Sequence, residues 1–257
     1  MKEEIFIYFI GTAGSGKSTL TAIFQQWCKE RSLDAIIVNL DPGVEYLPYS
    51  PDVDIRDWIS LKQVMETNQL GPNGAQIACA DMIALNTDDV KTSIESFKSD
   101  YILLDTPGQL ELFVFRDAGK YTVKFLSPEK SVICYLLDPI LAKTASGFVS
   151  QLLLAMTTNF RLNNPQINIL SKADLLSKKE RKLITRWSSD PDEIIEALIA
   201  EEPSVYREMS EGILQLIKNM GGYAKLIPTS KKNYLGLEDL YTDIQLQFAG
   251  GEDILKD

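Results

Sequence analysis

Short runs of mainly apolar residues recur along the chain, separated by polar residues and glycines. They occur at residues 5–10, 35–40, 101–105, 131–138, 166–170 and 224–227. Apolar runs that do not alternate with polar residues are typical of strands buried on both faces of a parallel sheet. Helical patterns lie between these runs. The chain is therefore predicted to be an α/β protein with a mostly parallel central sheet flanked by helices.

Apolar positions three and four residues apart predict the helices. One begins in the segment that carries Leu20 and Phe24, and others are predicted at 58–65, 81–97, 144–162, 178–187, 192–200, 204–220 and 237–248. Residues 68–76 contain two glycines and a proline and are predicted to form a loop. We predict one domain at 1–249, with a helical insertion at about 175–222 and a flexible tail at 250–257.

The first apolar run leads through a glycine-rich turn into a helical pattern. The turn fits G-x-x-x-x-G-K-[ST], the phosphate-binding P-loop. Its glycines let backbone N–H groups converge on a phosphate, Lys17 brings a charge to the β- and γ-phosphates, and Ser18 can bind Mg²⁺. A turn without a ligand is the alternative, and the flanking strand and helix argue against it. The predicted fold is a P-loop NTPase, with nucleotide contacts from Gly11, Thr12, Ala13, Gly14, Ser15, Gly16, Lys17, Ser18 and Thr19.

Acidic residues stand at the ends of the second and third apolar runs, namely Asp41 and Asp105. Ligands of open α/β sheets bind at the carboxyl ends of the strands, so both carboxylates are expected near the phosphates. Asp41 is predicted to bind Mg²⁺ or to orient water, and a helix cap or turn is the structural alternative. Asp105 is predicted to hold Mg²⁺ through a water molecule.

Residues 105–108 (DTPG) fit the D-x-x-G pattern of GTP-dependent switch proteins, in which the glycine N–H contacts the γ-phosphate. Gln109 follows directly, where Ras-like GTPases carry the glutamine that orients the attacking water. Glu111 lies two residues further on. We therefore predict Gly108 as a nucleotide contact, and Asp41, Gln109 and Glu111 as catalytic residues.

A base-recognition segment is predicted after the fifth run. Residues 171–174 (SKAD) resemble N-K-x-D with Ser in place of Asn. Asp174 would accept hydrogen bonds from guanine N1–H and the N2 amine, whereas adenine would leave this carboxylate unpaired. A helix cap at Asp174 is the alternative. Residues 228–230 (PTS) follow the last run, and the predicted guanine contacts are Ser171, Lys172, Asp174, Thr229 and Ser230.

Composition narrows the choice of partners and compartment. The 257 residues carry a formal net charge of −10, which argues against direct binding of nucleic acid through a broad basic face. No apolar run approaches the ~18 residues that span a membrane, and the early first strand leaves no room for a signal peptide. Three scattered cysteines favour a reducing, cytoplasmic location. Because histidine is absent from the sequence, general-base work falls to carboxylates, polarised amides or water.

The tripeptide Gly71-Pro72-Asn73 lies between the P-loop and the DTPGQ segment. With these motifs, SKAD and PTS in this order, residues 5–248 resemble a GPN-loop GTPase of the archaeal type. The resemblance implies a homodimer in which the Gly71-Pro72-Asn73 loop reaches the nucleotide of the partner. It also implies a protein partner related to RNA polymerase, since eukaryotic relatives are linked to the assembly and nuclear import of RNA polymerase II.

Two positions depart from the pattern of related GTPases. Ser171 replaces an asparagine, which removes an amide that ties loops together. Thr12 stands where several dimerising relatives carry an additional P-loop lysine. Residues 54–56 (DIR) resemble the second motif of the family, and Arg56 is the one obvious candidate for a cis arginine finger in the switch segments. A stiff loop at Pro72 could instead bring the Asn73 amide to a γ-phosphate and its attacking water, so Asn73 joins the predicted catalytic residues.

Three functions fit these features. The leading hypothesis is a Mg²⁺-dependent dimeric switch that binds and hydrolyses GTP and controls the assembly or conformation of a protein partner. A kinase could use the same P-loop, with arginines of the insertion as a lid, but the DTPGQ and SKAD segments favour the switch. The third is an assembly factor whose slow hydrolysis times partner release. Acceptor-dependent phosphate transfer would identify the kinase, whereas a partner bound in only one nucleotide state would favour the assembly factor.

Overall fold

Seven strands form one sheet in the structure, a computed structural model that describes residues 4–127, 129–219 and 225–248. The strands are β1 (Ile5–Gly11), β2 (Ala35–Asn39), β3 (Val53–Asp54), β4 (Tyr101–Asp105), β5 (Ser131–Leu137), β6 (Gln166–Leu170) and β7 (Leu226–Pro228). Their order is β3-β2-β4-β1-β5-β6-β7, and every pairing is parallel. The predicted parallel α/β fold is therefore confirmed.

Eleven α-helices in the described residues flank the sheet. They are α1 (Lys17–Glu30), α2 (Leu61–Asn68), α3 (Pro72–Leu85), α4 (Thr87–Glu95), α5 (Leu110–Phe113), α6 (Asp117–Leu126), α7 (Ala145–Leu162), α8 (Lys178–Trp187), α9 (Pro191–Ile199), α10 (Val205–Asn219) and α11 (Leu237–Phe248). None of the helices in the described part of the chain is long and apolar enough to cross a membrane.

Each face of the sheet carries its own apolar core. Tyr8 and Ile10 of β1 belong to one core, which helices α2 to α10 cover, whereas Ile7 and Phe9 belong to the other, which α1 and α11 cover. Every residue of β1 is buried, which explains why its sequence is apolar throughout rather than alternating. Because all strands run in the same direction, the loops after β1, β2, β4, β6 and β7 emerge at one edge of the sheet.

The prediction of a loop over residues 68–76 is wrong in its second half. Gly71 has an extended backbone and caps α3, Pro72 is the first residue of that helix, and Asn73 lies in its first turn. A proline interrupts a helix only in its interior, and at the first position its fixed φ angle and missing N–H are tolerated. The stiff projecting loop expected around Asn73 is therefore the exposed start of a helix.

The single helix predicted at 81–97 is also wrong, because α3 ends at Leu85 and α4 begins at Thr87. Helices α5 and α6 were absent from the prediction. Gly119 weakens the helical sequence pattern of α6. Close packing of α6 against α5 explains why a glycine stands there. A Cβ atom there would lie 1.9 Å from the carbonyl oxygen of Phe113, so α5 and α6 can pack this closely only with glycine.

The helices of the insertion follow the prediction closely. The bounds of α8 agree with it, and the ends of α9 and α10 differ by one residue. Ser177 and Glu180 form a reciprocal capping box at the start of α8. The predicted ends at Met220 and Ala224, and the tail at 250–257, lie outside the described residues. The limits of the domain and of the insertion stay predictions.

Two buried tyrosines in neighbouring strands provide a matched test of this core. The Tyr8 hydroxyl lies 2.8 Å from Ser127 Oγ, whereas the buried Tyr135 hydroxyl has no hydrogen-bond partner among the described residues. We expect Tyr8→Phe to lower the free energy of unfolding by about 1 kcal/mol, because a buried hydrogen bond is lost. Tyr135→Phe should leave it unchanged or raise it. Guanidinium denaturation measures both, and equal effects would contradict the assignment.

Candidate active site

The P-loop joins β1 to α1 with a backbone that requires glycine. Gly14 and Gly16 have φ angles of 75° and 101°, which side chains other than glycine rarely adopt. Gly11 is restricted for another reason, because a Cβ atom there would lie 2.7 Å from Ser15 Oγ and 2.8 Å from the carbonyl oxygen of Leu136. The loop can therefore keep its backbone N–H groups close to a ligand.

Lys17 connects the P-loop to the loop after β4. Its ammonium group donates to the carbonyl oxygens of Gly11 at 2.9 Å, Thr12 at 3.1 Å and Gly108 at 3.2 Å. Burial lowers the pKa of Lys17, and the nearby Asp105 and Asp41 carboxylates oppose that shift. The result is a buried cation at the carboxyl ends of β1 and β4, where the P-loop lysine is expected.

Asp41 links the loop after β2 to the same region. Its Oδ1 accepts from the N–H of Gly43 at 2.9 Å, and its Oδ2 accepts from the N–H of Gly108 at 3.0 Å. Burial raises the pKa of Asp41, and these two N–H groups act against the rise, as does the charge of Lys17. The N–H predicted to contact a γ-phosphate is thus bonded to a carboxylate in this structure.

Asp105 is buried, with 2% of its surface exposed, and its two oxygens have different surroundings. Oδ2 accepts from the Tyr49 hydroxyl at 2.6 Å, while Oδ1 has no partner in hydrogen-bond geometry among the described residues. Burial raises the pKa of Asp105 to about 6, against the opposing effects of the Tyr49 and Ser18 hydroxyls.

These oxygen donors suit a hard cation such as Mg²⁺. Within the described part of the chain, Asp105 Oδ1 is a buried acceptor without a hydrogen-bond partner, and the Ser18 hydroxyl is close enough to lower the pKa of this carboxylate. The described residues contain no cluster of three or more acidic, cysteine or histidine side chains that could enclose a metal. Mg²⁺ commonly takes its remaining ligands from phosphates and water, so the residues present fit a nucleotide-bound Mg²⁺.

The phosphate region is a cavity of about 370 Å³. It is bounded by the P-loop and α1 on one side, the loops after β2 and β4 on another, and Lys172 at its end. Its lining residues are Gly14, Gly16, Lys17, Ser18, Thr19, Asp41, Val44, Thr106, Gly108 and Lys172. The structure therefore brings together residues that are predicted as nucleotide and metal contacts from three separate motifs.

A smaller cavity of about 200 Å³ lies on the other side of Asp41 and Gly108. Gln109 lines it, and so does Gln76, which comes from α3. Glu111 and Asn73 are both exposed and are not among the described residues that line this cavity. The structure thus brings Gln109 to Asp41 but leaves the other two predicted catalytic residues at the surface.

The predicted base-recognition residues line a third cavity, of about 330 Å³. It contains Ser171, Lys172, Asp174, Thr229 and Ser230, and it shares Gly16, Thr19 and Lys172 with the phosphate cavity. The two cavities adjoin, as the base and phosphates of one nucleotide require.

Ser171 stands where related GTPases carry an asparagine that ties loops together, and its hydroxyl also connects neighbouring loops. Its hydroxyl lies 2.5 Å from the carbonyl oxygen of Ser15 and 3.1 Å from that of Leu137. The stem of Lys172 covers the P-loop, since a Cβ atom on Gly16 would lie 3.1 Å from its Cε. The ammonium group of Lys172 donates to the carbonyl oxygen of Gly14.

Asp174 is held by the loop after β7. Its Oδ1 accepts from Ser230 Oγ at 2.8 Å, and its Oδ2 lies 3.4 Å from the ammonium group of Lys232. The Ser230 hydroxyl is the main cause that lowers the pKa of Asp174, and Lys232 adds to it. The carboxylate is therefore ionised and oriented, as acceptance of two N–H bonds demands.

Sequence reasoning missed three residues at this site, namely Tyr49, Gln76 and Lys232. Gln76 follows Asn73 at helical spacing, but this signal depends on knowing that a helix starts at Pro72. Arg56, considered as a cis arginine finger, instead forms a salt bridge with Asp54 at 2.5 Å and donates to the carbonyl oxygen of Val44.

Comparisons with known proteins agree on one family. A family model described as "Conserved hypothetical ATP binding protein" matches residues 9–250. The GPN-loop GTPase PAB0955 of Pyrococcus abyssi is 30% identical over 240 residues, which cover 93% of this chain and 95% of that protein. GPN-loop GTPase 3 of Danio rerio is 31% identical over 252 residues, covering 95% and 88%. GPN-loop GTPase 1 of Dictyostelium discoideum is longer, and the chain spans 62% of it at 29% identity.

The fold is similar as well. The crystal structure of PAB0955, described as a GTPase in apo form, matches with a TM-score of 0.85 at 30% identity, covering 96% of this chain and 98% of that chain. Sequence and structure thus agree over nearly the whole length of both proteins, and the family resemblance drawn from the motifs is confirmed. The chain belongs to the family of GPN-loop GTPases.

Proposed function

We propose that this protein is a Mg²⁺-dependent GTPase that hydrolyses GTP to GDP and phosphate and works as a dimeric switch. The observation that carries the proposal is the pair of adjoining cavities at the carboxyl edge of the sheet, which share Gly16, Thr19 and Lys172. One has the lining expected for phosphates and the other the lining expected for a base.

Asp174 supports guanine as the base. The description of the family model mentions ATP, whereas relatives that match nearly the whole chain are named GTPases. An ionised carboxylate that faces the base cavity can accept from the N1–H and N2 amine of guanine. Adenine has an acceptor at N1 and no amine at C2, so it would offer this carboxylate no N–H donor and would place two acceptors next to each other.

Mg²⁺, when bound with GTP, would neutralise charge that develops on the phosphates. Ser18 would bind it directly and Asp105 would bind it through a water molecule. Asp41 lines the same cavity as Ser18 and would lie near the ion. Gln109 and Asp41 would orient the attacking water from the neighbouring cavity that both of them line. Early deprotonation of water is not required, because phosphoryl transfer depends mainly on positioning and charge stabilisation. Glu111, exposed at the start of α5, would assist from the rim.

The bond between Asp41 and Gly108 gives this site its switch. A γ-phosphate that takes the Gly108 N–H must displace the Asp41 carboxylate, which is bonded to it at 3.0 Å. Asp41 is then free to orient water. GDP, which lacks the γ-phosphate, has no group that competes for this N–H. The loops after β2 and β4 would therefore separate with GTP and join again with GDP.

Completion of each site by the second subunit is supported by the surroundings of Asn73. Gly71, Pro72 and Asn73 are exposed at the start of α3. A Cβ atom on Gly71 would meet no heavy atom of the described residues within 4 Å, and the residue has an ordinary negative φ of −71°. Nothing in the described chain therefore explains the glycine, whereas close approach of a second subunit would. Asn73 would then contact the γ-phosphate and water of the partner.

We further propose that the switch controls the assembly or conformation of a protein partner in the cytoplasm, a polymerase-related complex by family resemblance, without direct contact with nucleic acid. All three cysteines are free and buried, which suits a reducing compartment. The net charge of −10 disfavours nucleic acid as the direct ligand. Slow hydrolysis that times partner release would be one form of this role.

Asp174→Asn tests the choice of base. We expect GTP to bind at least ~10-fold more weakly, because a charged acceptor for two N–H groups is lost. Binding of xanthosine triphosphate should improve, since its C2 carbonyl can accept from the new amide. Calorimetry with GTP, ATP and xanthosine triphosphate measures this, with Lys182→Ala, on the exposed face of α8, as control. Unchanged preference among the three nucleotides would remove Asp174 from base recognition.

Gln109→Ala and Asp41→Ala test the positioning of water. Both variants should still bind GTP but hydrolyse it at least ~100-fold more slowly, the scale for losing one oriented catalytic group. Single-turnover rates at saturating Mg²⁺ separate hydrolysis from product release. The control is Gln63→Ala, an exposed glutamine on α2. Wild-type rates in either variant would exclude that residue from the mechanism.

Mixed dimers test whether Asn73 acts on the partner. Lys17→Ala and Asn73→Ala should each be nearly inactive alone. A mixed dimer contains one site with intact Lys17 that receives intact Asn73 from the other subunit, so up to about half of the wild-type rate should return. Lys17→Ala mixed with the double variant Lys17→Ala/Asn73→Ala is the control and should stay inactive. If verified mixed dimers show no recovery, Asn73 does not complete the opposite site.

A further inference from the structure

The loop between β2 and β3 touches the metal region through a residue that the function described above does not use. The Tyr49 hydroxyl donates to Asp105 Oδ2 at 2.6 Å. This is a short hydrogen bond to a carboxylate, the type that contributes most to orientation and stability. Burial and the adjacent Asp105 raise the pKa of the Tyr49 hydroxyl, so it keeps the proton that it donates.

Tyr49 itself has a fixed position. Three residues later, the backbone N–H of Asp52 donates to the carbonyl oxygen of Ile37 at 2.8 Å, and its carboxylate accepts from the N–H of Ile37 at 2.8 Å. Gln25 of α1 donates to the same carboxylate at 3.2 Å. The Tyr49 ring packs against the apolar core under α1. The loop is thus anchored to a central part of the sheet directly beside the tyrosine.

This anchoring determines which oxygen of Asp105 is free. With Oδ2 held by Tyr49, Oδ1 is the buried oxygen that has no hydrogen-bond partner among the residues that the structure describes, and the Ser18 hydroxyl lies near the same carboxylate. Without the Tyr49 hydroxyl, the buried carboxylate would lose its 2.6 Å hydrogen bond and keep only the nearby Ser18 hydroxyl. The carboxylate could then turn about its χ2 angle, a soft torsion. Its orientation towards a metal-bound water would be lost.

We propose that Tyr49 is a positioning residue for Mg²⁺: its hydroxyl holds Asp105 so that Oδ1 faces a water ligand of the ion bound at Ser18. The proposal rests on the proposed function, since it requires a nucleotide-bound Mg²⁺ at this place. Tyr49 touches neither the ion nor the nucleotide in this arrangement and acts through Asp105. It also ties the metal to the same loop that carries Asp41.

Tyr49→Phe tests the proposal, because it removes the hydroxyl and keeps the ring. The measurement is the rate of GDP release during titration with Mg²⁺, from chelator alone to saturation. The Mg²⁺ concentration that gives half of the full effect should rise about 10-fold, as for the loss of a partner that orients a metal ligand. GDP release in chelator alone should change less than about twofold. Tyr46→Phe is the matched control, since Tyr46 lies in the same loop and is 82% exposed.

A double variant shows whether Tyr49 acts through Asp105. In an Asp105→Asn background, Tyr49→Phe should cause no further change in the Mg²⁺ requirement, because the oriented carboxylate is already gone. An additive change would overturn the proposal. A wild-type Mg²⁺ requirement in Tyr49→Phe would also overturn it. If the melting temperature of that variant fell at the same time, the hydrogen bond would have a purely structural role. If the rate of GDP release from the wild-type protein did not depend on Mg²⁺, the Mg²⁺ dependence in the proposed function would be wrong, and this inference would fail with it.

Discussion

The buried ammonium group of Lys17 is the interaction on which the arrangement of the active site depends. A positive charge removed from water is costly unless hydrogen bonds and opposite charges compensate. Carbonyl oxygens of the P-loop and of Gly108 accept from this group, and the Asp41 and Asp105 carboxylates counteract the fall in its pKa. Because these groups belong to three different strand ends, one buried charge gathers three loops at the same edge of the sheet.

The loop after β2 is attached to the D-x-x-G segment at two points. Asp41 accepts from the N–H of Gly108, and Tyr49 donates to Asp105. The same loop approaches α3, since a Cβ atom on Gly43 would lie 3.8 Å from Gln76 Nε2. Asp41, Gly43 and Gln76 line one cavity, so the loop after β2 lies between the phosphate region and the helix whose first turn carries Asn73. A change in the hydrogen bond between Gly108 and Asp41 could therefore move the loop after β2 against α3, whose start is proposed to meet the second subunit.

Much of the fold was predictable because its causes are local in sequence. Strands buried on both faces need uninterrupted apolar runs, and β1, β4 and β5 have them. Loops that need positive φ angles require glycine, as at Gly14 and Gly16. Acidic residues at strand ends were placed at the same edge by the rule that parallel strands share one direction. Two of the unpredicted features involve residues that disfavour helix interiors: Pro72 is the first residue of α3, and Gly119 lets α5 and α6 pack closely.

The sequence by itself determined the parallel sheet, the P-loop and the family, because each is encoded in the spacing of a few neighbouring residues. Only the tertiary structure decided which side chains meet. It paired Tyr49 with Asp105, which lie 56 positions apart, and it tied Ser171 to the P-loop across 156 positions. The structure also shows that Asn73 lies in the first turn of a helix and not in a loop. Contacts between distant residues depend on how the helices and loops pack on the sheet, and no local pattern encodes that packing.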